Sequence, residues 1–251
     1  MKKLVLSDNR LENADVYFKS PNELLMILNV YSSIIDQVHY QGEKLPDDVL
    51  EKMKRNFDWE YLSPDSAYEL INLVELPTEL QHKMSLSTNL LDQKLVHKHD
   101  KTNVLLSNYQ KFGNSIVFRG FDRWDELNSD HISDHVDGIK IFEIIRQATL
   151  ASFHINSLNY DTAVALMNLK IEYIRFVETF TPFLVHIIPI NKSDGGAMFT
   201  LFSIYQEGNL VAKGYLGTYT FRSKKEFSDK RTSMKEKAYI GAENENWPIF
   251  K

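Results

Sequence analysis

From Gly138 to Asn156 the chain carries one helical pattern, and the segments that follow it have strand character. Ile139, Phe142, Ile145, Thr149 and Phe153 recur at spacings of three and four along one side of the helix, and the apolar majority of the segment implies that the helix is well buried. The runs Ala163 to Ile174, Phe183 to Ile190, Ala197 to Gln206 and Leu210 to Phe221 follow, and the last two are joined through Glu207-Gly208-Asn209 as a hairpin. Val104-Leu105-Leu106 and Ser115-Ile116-Val117-Phe118 supply shorter strands upstream. A single helix buries its apolar faces against strands only if the sheet curls around it. The spacing therefore predicts an α+β architecture, with one helix wrapped by a curved antiparallel sheet as one of several options.

The first 90 or so residues read as mostly helical. Ser20-Pro21-Asn22-Glu23 has the form of a capping box, followed by an apolar stripe through Leu24, Leu28, Tyr31, Ile35 and Val38 that stops at Gly42. Pro46 to Phe57 and Ser63 to Val74 give two further helical patterns, and Pro77 ends or interrupts the second. The expected organisation is a helical N-terminal region over 1–92, a sheet-and-helix domain over 93–225 and a polar, poorly ordered tail over 226–251.

Composition removes several classes of function. There are no cysteines among the 251 residues, which excludes disulfides, thiolate zinc sites and cysteine nucleophiles. A net charge of −5 does not favour nucleic acid as a partner. The N-terminal apolar run is too short for a secretory signal and no apolar run reaches membrane-spanning length, so the expectation is a soluble cytoplasmic protein without a membrane partner.

The chemistry concentrates just before and inside the helix. Glu143, Arg146 and Gln147 lie at i, i+3 and i+4 and share one face, where a buried carboxylate needs a partner or a raised pKa. One reading is a purely structural Glu143–Arg146 pair. The functional reading uses Gly138 near the helix N-terminus, where unpaired N–H groups can polarise a carbonyl oxygen, with Glu143 and His131 or His135 as acid/base candidates. Asp130, His131, Asp134 and His135 could instead ligate a metal, or Asp134 or Asp137 could simply cap the helix. No resident metal or cofactor is expected.

Asp130-His131-x-x-Asp134-His135-Val136-x-Gly138 followed by Glu143-x-x-Arg146-Gln147-Ala148 resembles the central motif of the A-factor biosynthesis (AfsA-like) hotdog family. Val96-His97-Lys98 and Asn103-Val104-Leu105-Leu106-Ser107 are similar to that family's upstream stretch. The resemblance covers about 95 to 155 and implies the hotdog fold. It also implies an acyltransferase that moves a β-ketoacyl chain from acyl carrier protein, or an acyl-CoA, to a hydroxyl of a glycerone-phosphate-type acceptor, towards a butyrolactone-like signal. Carried over, Glu143 is the base and Arg146 orients it or the acceptor phosphate, while Gly138, Gln147 and His97 are substrate-binding positions. A dehydratase, a thioesterase and a non-catalytic acyl-binding protein are alternatives on the same fold.

Two positions depart from the pattern. Asp137 stands where the resemblance leads to Pro, and one hotdog copy stands where the family commonly carries two. If sites form between copies, this chain must self-associate, so a homodimer is expected. His154 and His186, set among apolar residues, read as satisfied core histidines. Arg222, Lys224, Lys225, Lys230 and Arg231 form the one basic cluster, read as a solvated tail or a docking surface for an acidic carrier protein.

Overall fold

The structure, a computed structural model, describes residues 3–9, 14, 16–18, 21–31, 37–41, 64–68, 71, 74, 76–123, 134–156, 158–190 and 196–244. Its centre is a six-stranded sheet. Strands β4 (Gln110–Phe112), β5 (Ser115–Gly120), β6 (Ala163–Tyr173), β7 (Phe183–Ile190), β8 (Gly196–Gln206) and β9 (Asn209–Phe221) run in the order β4-β5-β7-β8-β9-β6, and every neighbour is antiparallel. Register irregularities between Leu166 and Asn168 and between Ile204 and Tyr205 add local twist, which helps the sheet curl.

The long helix (Gly138–Ile155) lies against the concave face. Ile141, Ile144, Ile145, Ala148 and Ala151 are fully buried there with Phe118, Val185, Ile187, Phe202 and Leu216. Isoleucine costs a few tenths of a kcal/mol in helix propensity, whereas burying each side chain contributes about 1.5–3 kcal/mol. Packing therefore decides the helix. Thr149 adds a buried hydroxyl bond of 2.8 Å to Thr200 on β8.

Alternation along β7 shows that both faces of the sheet are covered. Phe183, Val185 and Ile187 meet the long helix, while Leu184, Ile188 and Ile190 point the other way, into a second core shared with the N-terminal region. That region contains β1 (Lys3–Ser7), β2 (Val16–Tyr17), α1 (Pro21–Tyr31), β3 (Gln37–Gln41), α2 (Pro64–Tyr68) and α3 (Thr78–Ser85). The long helix is accordingly α4. Leu24, Ile27, Val30 and Tyr31 of α1 pack in the same core as Val117, Leu184 and Phe199. Gly113, at φ +61, lets the β4–β5 turn press against α1: an added Cβ would overlap the Val30 carbonyl oxygen, and Asn114 N–H donates to that same oxygen at 3.0 Å.

Three expectations change. The N-terminal region is not purely helical, because β2, β1 and β3 form a parallel three-stranded sheet in that order. Val38 and Tyr40, expected on the first helix, pair with Leu4 and Leu6 on β1 instead, and the helix ends at Tyr31. The expected polar tail forms helix α5 (Lys224–Asn244), whose Ser223 Oγ accepts from Glu226 N–H at 3.1 Å while Phe227 packs on Phe221. The Ser20 cap and the helix expected over Pro46 to Phe57 lie outside the described residues. Among the described residues, no helix is long and apolar enough to cross a membrane.

Candidate active site

Helix α4 carries its polar side chains on one stripe and opens a cavity on another. Glu143 and His154 are eleven residues apart, about 20° around an ideal helix, whereas Gly138 and Glu143 are about 140° apart. These directions separate the expected site residues into two groups.

On the stripe, Glu143 is 6% exposed and its carboxylate receives a fork from Arg146, Nε to Oε2 at 2.6 Å and Nη2 to Oε1 at 2.7 Å. Gln147 Nε2 donates to Oε1 at 3.0 Å and Lys98 Nζ reaches the same oxygen at 3.0 Å. Burial pushes the Glu143 carboxyl upward, yet the hydrogen bonds and charge of Arg146, with the Gln147 and Lys98 bonds, hold it below the ordinary glutamate value. Gln147 also ties the upstream segment to the helix, donating to the Asn103 carbonyl at 2.8 Å and accepting from Leu105 N–H at 2.9 Å. A carboxylate whose oxygens already hold donors from Arg146, Gln147 and Lys98 suits an anchor better than a proton acceptor. The expected role of Glu143 as base is therefore not favoured by its geometry within one chain.

The same stripe continues to a pair of histidines. His97 ends the short 3-10 turn Gln93–Val96 in the left-handed region, φ 55, and its Nε2 lies 2.8 Å from His154 Nε2. His154 Nδ1 lies 3.0 Å from the Leu158 carbonyl, and its ring stacks on Tyr160 at 5.0 Å with 9° between the planes. His154 is thus held by partners, although one of them is another titratable ring. His186 is a sealed core histidine: Nε2 meets Ser115 Oγ at 2.7 Å, Nδ1 meets Ser203 Oγ at 3.3 Å, and burial pulls its pKa down to about 3.

The cavity, about 410 Å³, lies at the start of α4. Val136, Gly138, Ile174, Phe176 and Val177 give it a largely apolar wall, with His135, Tyr173 and Arg175 at its border. Asp137 is the N-cap residue but its side chain makes no capping bond, so the first turn is closed by its backbone carbonyl, which accepts from Lys140 and Ile141 N–H. Among the described residues one side chain bounds the space above Gly138: a Cβ there would come within 3.3 Å of the Tyr173 hydroxyl. His135 is held by Asp134 Oδ1 at 2.9 Å and packs on Phe176 at 4.8 Å.

The structure therefore joins Glu143, Arg146 and Gln147 with the segment that carries His97, and joins His135 with Gly138, but it does not bring the two groups together. His131 and Asp130 lie outside the described residues. Lys98, His154 and the cavity wall at residues 173–177 are additions to the expected site residues. Among the described residues, no cluster of three or more His, Cys, Asp or Glu could hold a metal ion.

The A-factor biosynthesis hotdog domain model matches residues 81–222, more than half of the chain, including the helix, the cavity and every strand of the curved sheet. The chain belongs to this hotdog family. Solved structures with a similar fold include a variant of the phenylacetic acid degradation protein PaaI from Thermus thermophilus, at 18% identity and TM-score 0.33, covering 42% of this chain and 84% of that one. A thioesterase from Haemophilus influenzae matches at 12% identity and TM-score 0.41, covering 55% and 94%. AziG from S. sahachiroi matches at 13% identity and TM-score 0.37, covering 47% and 91%. The search of curated proteins returned no match. The family match and the antiparallel sheet around α4 give the chain the hotdog fold.

Proposed function

We propose that this hotdog-family chain is an acyltransferase that takes an acyl group, of β-ketoacyl type, from a carrier-protein or coenzyme A thioester and passes it to a small hydroxylated acceptor, on a route to a butyrolactone-like signal or secondary metabolite. The observation that carries this reading is the apolar cavity opening on the start of α4. An acyl chain gains about 0.8 kcal/mol for each CH2 it buries there, while N–H groups of the first helical turn face the carbonyl oxygen that becomes negative during acyl transfer. Gly138 keeps that approach open. Arg146 and Lys98, drawn together by Glu143, supply positive charge suited to an anionic acceptor.

The working unit is a homodimer. Strand β6 is a sheet edge, paired on one side only by β9, and Leu166, Met167, Tyr173, Ile174, Phe176 and Phe180 are exposed along and beyond it. Ile139 on α4 is exposed as well. A second copy across this edge covers apolar surface and sets the polar stripe of one chain against the cavity of the other.

The test is an incubation with β-ketoacyl carrier protein, with and without glycerone phosphate, followed by mass spectrometry of the acyl group. Acceptor-dependent transfer is expected. Acceptor-independent hydrolysis would make the chain a thioesterase, loss of water a dehydratase, and an unchanged thioester a binding protein.

A further inference from the structure

His97 and His154 are brought edge to edge by two elements with no continuity in sequence, and the contact determines where their protons sit. A carbonyl oxygen only accepts, so the bond from His154 Nδ1 to Leu158 requires the proton on Nδ1. Neutral His154 then presents a lone pair at Nε2. For the 2.8 Å contact to be a hydrogen bond, His97 must donate from its own Nε2. That leaves the lone pair of His97 on Nδ1.

The surroundings hold this arrangement. Tyr160 stacks on the His154 ring and fixes its plane. The left-handed conformation of His97, costing on the order of 1–3 kcal/mol for a residue other than glycine, is kept by the bond from Lys98 N–H to the Gln93 carbonyl at 3.0 Å. Lys98 is drawn onto Glu143, so the anchor on α4 also positions the residue beside His97. His97 keeps an exposed edge towards solvent.

We propose that His97, through Nδ1, is the general base of the acyl-transfer reaction, and that His154 is the positioning residue that fixes its tautomer. The inference rests on the acyl-thioester reading above. Nδ1 takes the proton of the attacking hydroxyl as its oxygen bonds to the thioester carbonyl carbon and the carbonyl electron pair moves to oxygen. When the tetrahedral intermediate collapses, the C–S bond breaks and the thiolate takes the proton back from Nδ1. The imidazolium formed in between is stabilised by its Nε2–H bond to His154, as an orienting partner does in other nucleophile–base systems.

Burial and nearby charge keep the base in its neutral form. Burial first, then electrostatic coupling to His154 and the positive charges of Lys224 and Arg146, lower the His97 pKa to about 4. Burial lowers that of His154, the Leu158 bond opposes it, and Lys224 lowers it further. Arg146 comes from α4 and pairs with Glu143, which also holds Lys98; Lys224 comes from the start of α5, and Tyr160 stacks on His154.

Long-range proton–nitrogen spectra of the imidazoles in the full-length chain test the tautomers without any substrate. The expected result is His97 protonated at Nε2 with a bare Nδ1, and His154 protonated at Nδ1; a proton on His97 Nδ1 at pH 7 overturns the proposal. In the transfer assay, His97→Gln should lower kcat by about 100-fold or more with KM little changed and thermal stability retained. His154→Phe, which offers no acceptor to His97 Nε2, should lower kcat less than His97→Gln does, and should let the His97 proton reach Nδ1 in the same spectra. Wild-type turnover in a folded His97→Gln chain refutes the base, and a His97 proton still confined to Nε2 in a folded His154→Phe chain refutes the role of His154. If the native chain transfers no acyl group, the acyl reading falls and the proposed base with it, while the spectra still decide the ring pair on their own.

Discussion

The two working faces of helix α4 are built on opposite principles. One gathers Glu143, Arg146, Gln147, Lys98 and two histidines into a network in which groups satisfy one another, with little open space around the carboxylate. The other offers an apolar hollow around a helix start without a side-chain cap, bordered by few polar side chains. One face has the chemistry and the other has the room. A catalytic centre needs both, and in the proposed dimer the exposed edge at β6 would let a second copy supply the missing half.

The largest expected effect lies on the polar face. Glu143→Leu removes the acceptor shared by Arg146, Lys98 and Gln147, and should cost about 3 kcal/mol in urea unfolding, allowing for the partial exposure of the two cations. Glu143→Leu with Arg146→Met should recover part of it. A loss under about 0.5 kcal/mol would mean that the network does not anchor the 93–105 segment, and the comparison would fail on that side.

A smaller effect separates the sealed histidine from the open pair. The fold holds His186 neutral, with its pKa pulled down to about 3, whereas the unfolded chain titrates it near the ordinary value of 6.5. Below pH 6.5 the unfolded chain therefore takes up a proton that the fold does not, and the stability present above pH 6.5 is lost as pH falls. Between pH 6.5 and 5 the loss from this residue should be about 1.6 kcal/mol, read as the difference between the native chain and His186→Gln in paired urea titrations. Equal pH slopes for the two chains would contradict a buried neutral ring.

The smallest change in stability is expected on the cavity face. Gly138→Ala brings a methyl group to 3.3 Å from the Tyr173 hydroxyl, which a flexible ring can absorb, and alanine favours the helix. Stability should shift by less than about 1 kcal/mol, while kcat/KM for acyl transfer should fall by about tenfold because the approach to the first helical turn is narrowed. Unchanged kcat/KM would remove Gly138 from the binding site.

Much of this arrangement is legible in the amino-acid sequence, for reasons that are local. The sequence places helix α4 from Gly138 and strand β7 over Phe183 to Ile190, and both stand at those positions because apolar periodicity and turn residues agree there. Val38 misleads because it follows Tyr31 and Ile35 at helical spacing and also fits a strand, and only pairing with β1 decides. Helix α5 has a local signal, Ser223-x-x-Glu226, but its polar composition draws it into the expected tail. The site divides in the same way. Glu143, Arg146 and Gln147 declare their shared face by spacing alone. His97 and His154, 57 positions apart, do not, and neither does the cavity wall at the end of β6, which carries no motif.

The division of labour between the two faces, joined by a second copy, is tested most directly by active-site complementation. A chain blocked in the cavity by Gly138→Trp and a chain altered on the stripe by His97→Gln are each expected to be inactive in acyl transfer. Co-expressed with different tags and purified as the mixed dimer, they rebuild one intact site of the two if cavity and stripe come from different copies. The expected result is about half the wild-type transfer rate per dimer. A mixed dimer as inactive as either parent would place the whole site within one chain and contradict the account.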